Sequence, residues 1–195
     1  MDTFTDRQKQ IIDASIKIIA EKGIQHLTIK NISRSLGISE PAIYRHFDGK
    51  MDILLAILSY FRKNSHLDLA KSISNEESSI KQIESIFVDH FKRFAAKPAL
   101  AAVIFSEEIF QNDKRLAEQV NVIMQSNQNT IVKIIERGQK RNEIRNDIPG
   151  KQISLIIIGA LRVIVAKWRL SKCSFDLERE GAELWKSIRK VIERK

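Results

Sequence analysis

The sequence predicts an all-α protein of about nine helices. Three observations support this. Helical periodicity and cap residues recur along nearly all of the 195 residues. Neither sustained period-two alternation nor an Asn-Gly or Asp-Gly turn between β-branched runs is present, so no strand or hairpin is expected. Composition is that of a globular chain, with 43% hydrophobic residues, 3 Pro and 7 Gly.

The elements follow in order. Thr5 opens the first helix, with Gln8 three residues on as its capping-box partner. Ile11, Ile12, Ile18 and Ile19 form its apolar stripe, and Gly23 ends it. The second helix runs from Thr28 to Gly37, with Leu27 and Ile32 as a hydrophobic staple. The third starts at Ser39, carries Pro41 in its first turn and runs to about Phe47. A fourth starts near Asp48 and Gly49 and reaches about Ala70, before a polar break at 72–75. Helical patterns follow at about 76–96, 98–111 and 113–141, then a turn at 142–148. Pro149 opens a helix to about Leu170, and the last runs from about Phe175 to Glu193. Residues 1–48 are expected as a three-helix domain and 49–195 as a helical bundle.

Composition and charge exclude several classes. No apolar run approaches the roughly 20 residues that span a bilayer, and the N-terminus lacks a basic stretch followed by an apolar one. The chain therefore reads as cytoplasmic, with no membrane partner. One cysteine, Cys173, excludes an internal disulfide and a cysteine-cluster metal site. The four histidines, 26, 46, 66 and 90, show no i, i+4 pairing, so no metal is expected. A Gly-x-Ser-x-Gly elbow, a P-loop and a His-Glu-x-x-His are all missing. The protein is expected to be no enzyme and to need no cofactor. The net charge of +9 suits a polyanionic partner. Yet residues 1–50, with 8 basic and 6 acidic side chains, hold little of the excess.

Residues 28–47 have the size and punctuation of a helix-turn-helix, with Leu36-Gly37-Ile38 at the turn. On the second short helix, Ile43 and Phe47 fall together and face the core. Pro41, Ala42 and Arg45 then lie on the opposite side, with Tyr44 and His46 on the flanks. Small residues let a backbone approach base edges, and Arg45 can reach guanine O6 and N7 together. Thr28, Ser39 and Lys50 stand at or beside helix N-termini, where free N–H groups favour phosphate. Lys30 adds a positive charge nearby. On geometry alone two readings stay open: a DNA-reading unit, or a bundle whose short helices serve packing, with Tyr44 half-buried and His46 an ordinary surface residue.

The stretch from Ile11 to Leu55 resembles the N-terminal DNA-binding domain of the TetR family of bacterial transcriptional repressors. Carrying the resemblance are Ile-Ile-x-Ala, Glu-Lys-Gly before Leu-Thr, Leu-Gly-Ile-Ser at the turn, Ile-Tyr-x-His-Phe, and Gly-Lys before Leu-Leu. Pro41 departs from the glycine of many members, and Met51 from a frequent acidic residue. The resemblance implies that Thr28, Ser39, Tyr44, His46 and Lys50 contact the DNA backbone, and that Lys30, Pro41, Ala42 and Arg45 lie at or near the bases. It also implies a homodimer paired through its two last helices, a pocket for a small molecule among the central helices, and release of a palindromic double-stranded operator when that pocket fills. A protein of the same fold that works through a protein partner or architecturally, without a small ligand, is the alternative.

The helix after Pro149 is apolar almost all round, so it is buried on more than one side, either by a second subunit or by the chain's own core. The expected interface is Ile157, Leu161, Ile164 and Trp168 with Leu184 and Ile188 of the last helix. Phe87, Phe91 and Phe94 recur at i, i+4 and i+7 on one face, either as core or as the wall of an apolar pocket. With Phe61 and Phe105 they point to a small hydrophobic effector. His66, His90, Met124 and Gln128 complete the expected lining.

Overall fold

The computed structural model describes residues 4–71, 77–105 and 114–194, with the side chains of all but 61–71 among these. The polar break at 72–75 and residues 106–111 of the expected sixth helix lie outside the described residues. Nine α-helices are present among the described residues, which carry no named strand. The chain folds as two compact units, Met1–Asn64 with Pro98–Asn121, and Ser65–Lys97 with Val122–Lys195.

In the first unit, α1 (Asp6–Lys22) starts as its sequence dictates. Thr5 Oγ1 accepts from the Gln8 N–H at 3.2 Å, and Gln8 Oε1 accepts from the Thr5 N–H at 3.0 Å. Two donors that a helix start leaves unpaired are thereby satisfied. The stripe Ile11, Ile12, Ile18 and Ile19 is buried, and α1 packs against α2 (Ile29–Leu36) and α6 (Pro98–Ile104). Thr28 caps α2 by accepting from the Asn31 N–H at 3.1 Å. The Asn31 side chain donates to the His26 carbonyl at 2.8 Å, tying the cap to the preceding 3-10 turn. Gly37 ends α2 at φ +65°, in the left-handed region where a Cβ is unfavourable.

α3 (Glu40–Tyr44) is shorter than expected, stopping three residues before Phe47. After Tyr44 the backbone tightens, with the His46 N–H bonding the Ile43 carbonyl at 2.9 Å. Phe47 thereby turns into the core. The next N–H, on Asp48, is taken by the Asp52 carboxylate at 3.3 Å, which starts α4 (Lys50–Lys71). Competition between one helix's last turn and the next one's cap sets this boundary.

In the second unit, α5 (Ser79–Ala96) packs chiefly on α9 (Leu177–Ile192), and α8 (Gly150–Leu170) packs on both. Glu143, in the turn after α7 (Lys114–Lys140), caps α5 from a distance in sequence. Its carboxylate accepts from the Ser79 N–H at 2.6 Å and the Ser78 hydroxyl at 3.0 Å. The Arg137 guanidinium donates to Gln82 and, at 3.5 Å, to the Ser79 hydroxyl. The chain end is held by the same turn. Arg145 N–H donates to the Ile192 carbonyl at 2.9 Å, and Arg194 N–H donates to the Glu143 carbonyl at 3.1 Å.

Candidate functional site

The helix-turn-helix places its side chains by burying two of them. Ile43 and Phe47 are buried, which turns the rest of residues 41–46 outward. Pro41 and Arg45 are exposed and Ala42 is half-buried. Tyr44 is 52% exposed, so it is not a core residue. His46 is half-buried, and its carbonyl accepts from the Gln8 side chain at 3.4 Å, a tie from α1 to the end of α3.

Thr28, Lys30 and Ser39 are exposed, and Lys50 is half-buried at the first residue of α4. Ser39 stands at the start of α3, and its hydroxyl makes no cap hydrogen bond. That leaves the hydroxyl available at a helix start. Among the described residues, Lys30, Arg45 and Lys50 form no ion pair, so their charges are uncompensated locally. Thr28, Ser39 and Lys50 thus stand at three helix starts, and Arg45 at the end of α3. Such a surface can hold phosphates and present Arg45 to a groove.

The expected effector residues divide. Phe87, Phe91 and Phe94 are buried in the second unit, and the rings of Phe87 and Phe91 meet edge to face at 4.9 Å. His90, on the same helix, is half-buried, and its Nδ1 lies 2.7 Å from the Ile86 carbonyl oxygen. Only an N–H can satisfy that oxygen, so Nε2 of the neutral ring is left as an acceptor. Burial lowers the His90 pKa, with Arg93 adding to the effect, against the Ile86 carbonyl and Asp89. Gln128 is half-buried and donates to the Ser154 hydroxyl at 3.2 Å. Met124 is 46% exposed and so lines no closed cavity by itself. Phe105 belongs to the first unit. The side chains of Phe61 and His66 lie outside the described residues.

The expected interface divides too. Ile157, Trp168 and Ile188 are buried within the chain. Trp168 Nε1 also donates to the Phe175 carbonyl at 3.0 Å. These three lie in the chain's own core. Leu161, Ile164 and Leu184 are half-buried. The outer face of α8 is instead made by Leu155, Ile156, Val163 and Leu170, with Val191 exposed on α9. Periodicity missed them because α8 is apolar on all sides, so no polar face marked which side turns outward. Trp185 is 2% exposed, and among the described residues its indole N–H has no hydrogen-bond partner.

Known proteins share these features. A model of bacterial regulatory proteins of the tetR family matches residues 11–57, and one of the YsiA-like protein C-terminal region matches residues 63–190. The fatty acid metabolism regulator protein of Bacillus subtilis (strain 168) is 24% identical over 168 residues, 86% of each chain. The probable acrEF/envCD operon repressor of Escherichia coli (strain K12) is 21% identical over 192 residues, 95% of this chain and 86% of that one. The crystal structure of the regulator FadR from Bacillus subtilis in complex with stearoyl-CoA superposes with a TM-score of 0.79 at 23% identity, covering 94% of this chain and 96% of that one. Between them the two models span nearly the whole sequence, on an all-helical fold these regulators share, and the chain belongs to the TetR family of bacterial transcriptional regulators.

Proposed function

We propose that the protein is a repressor that binds a palindromic operator as a homodimer and leaves it when a small apolar effector occupies the second unit. The observation that carries the DNA half of this reading is the anchoring of Ile43 and Phe47 in the core, which holds Arg45 and Tyr44 outward on the same short segment. Thr28, Lys30, Ser39, Pro41, Ala42, His46 and Lys50 are read as the other members of this DNA-binding set. Dimerisation is supported by the exposed aliphatic face of α8, where Leu155, Ile156 and Val163 are each about half exposed or more. A monomer gains nothing from leaving such a face in water.

The effector is read as a long-chain acyl group. Support comes from the buried aromatic cluster of Phe87, Phe91 and Phe94, and from the FadR relatives, one of them solved with stearoyl-CoA.

Selection of bound duplexes from a random DNA pool at near-physiological salt tests the reading. A recovered palindrome, with half-sites about one helical turn or slightly more apart, is the expected result. Stearoyl-CoA should then displace the protein from that palindrome. Salt-sensitive binding without a motif would point to the architectural alternative.

A further inference from the structure

We propose that Trp185 is the hydrogen-bond donor that receives an uncharged carbonyl oxygen of the effector. The inference rests on the acyl-effector reading above and names the chemistry of its head group.

Trp185 stands on α9 against α5, inside the second unit. Buried polar side chains elsewhere in that unit are paired. Ser79 and Gln82 join Arg137, and Ser154 accepts from Gln128. The Trp185 Nε1–H is the unpaired one among the described residues. A neighbouring ring does not substitute for an acceptor. Phe87 lies 5.6 Å away at a 42° tilt, short of the perpendicular arrangement in which an N–H points into a ring face. A buried donor without a partner is costly and rare, and one reason to retain it is an acceptor supplied from outside.

The indole is also held still. Gly181, one turn before Trp185, brings α9 so close to α5 that a Cβ on it would meet the Phe91 ring at 2.2 Å. Phe91 is in turn one helical turn from Phe87. Two successive turns of α9 are thus seated on two successive turns of α5. A donor fixed in this way loses little freedom when it binds.

An uncharged carbonyl fits this place better than a carboxylate. Among the described residues no charged side chain is buried, so an ionised head group would meet no buried counter-charge. His90 is disfavoured as one, because burial lowers the pKa of its ring, with the nearby Arg93 adding to the effect. An acyl thioester presents a neutral carbonyl on a long apolar chain, which is the chemistry a lone N–H beside edge-to-face phenyl rings selects.

The test uses a matched pair of probes, stearoyl-CoA and its thioether analogue S-octadecyl-CoA, which differ only in the carbonyl. The full-length protein, labelled with 15N, contains two tryptophans and so gives two indole N–H signals in a proton–nitrogen correlation spectrum. Trp168, already bonded to the Phe175 carbonyl, is the internal control, and Trp168→Phe assigns the pair. Stearoyl-CoA should move the Trp185 signal downfield and leave that of Trp168 in place, while the thioether should bind without that shift. Trp185→Phe should weaken stearoyl-CoA about fivefold and leave the thioether nearly unchanged. If Trp185→Phe does not fold, the spectrum of the unaltered protein decides alone. Saturable binding of stearoyl-CoA with a stationary Trp185 signal overturns the donor role and leaves the acyl reading intact. No saturable binding of either probe overturns both.

Discussion

Gly181 lies against Phe91 with no space between them. A Cβ built on Gly181 falls 2.2 Å from Phe91 Cδ2 and 2.6 Å from Cε2. Phe91 is fully buried and braced by Phe87, so its ring has nowhere to move. The helix interior would otherwise favour alanine over glycine by about 1 kcal/mol. Here the overlap wins, because a forced shift in a packed core costs about 1–3 kcal/mol or more. Gly181→Ala should therefore lower the urea midpoint. Phe91→Leu should recover part of that loss in the double variant, since the two sites share one contact. Full additivity of the two single losses would contradict the packing described.

Arg45→Ala is expected to cost about 1–3 kcal/mol of operator affinity and to relax the preference at one base position per half-site. Titration against a panel of single-base operator variants checks it. An equal loss on every sequence would assign Arg45 to phosphate instead.

Lys50 sits at the first residue of α4 with no ion-pair partner among the described residues. Its removal should weaken binding on all sequences alike. The slope of log affinity against log salt should shrink by about 1 for each subunit that contacts the duplex. An unchanged slope would take Lys50 off the phosphate backbone.

Val163, 62% exposed on the outer face of α8, is the test of the proposed dimer. Val163→Asp should give a folded monomer by sedimentation, with helical content retained and tight operator binding lost. Trp168 is unsuited to this test, because it is part of the chain's own core. A Val163→Asp protein that remains dimeric would move the interface off this face.

His90 predicts an acid sensitivity of stability. Burial lowers its pKa in the folded state, so the unfolded chain takes up its proton first as pH falls. The contribution from the neutral ring is whole above its ordinary pKa of about 6.5 and is lost progressively below it. Urea midpoints measured at pH 7.5 and pH 5.5 should differ more in the native sequence than in His90→Gln. Equal differences would place the acid effect in other groups.

Much of the fold was legible because its signals are local. Thr5 with Gln8, and Thr28 before Asn31, satisfy backbone donors within three residues, so the chain announces these helix starts without help from distant parts. The same holds for Ile43 and Phe47, whose spacing alone sends them to one side and Arg45 to the other. Ser39 shows the limit, since it precedes α3 as Thr28 precedes α2 and yet makes no cap bond.

What the sequence determined by itself is therefore the helices, their caps and the outward face of the helix-turn-helix. Tertiary structure decided where α3 stops, since that depends on Asp52 claiming the Asp48 N–H for the next helix. It also decided which side of α8 stays in the core. A helix apolar all round has no polar stripe to orient it, so its neighbours chose Ile157 and Trp168 for the inside and left Leu155 and Val163 out. Nor does any local pattern reveal that the Trp185 N–H lacks an acceptor among the described residues while that of Trp168 has one. Pairing of a buried donor is settled only when distant segments have met around it.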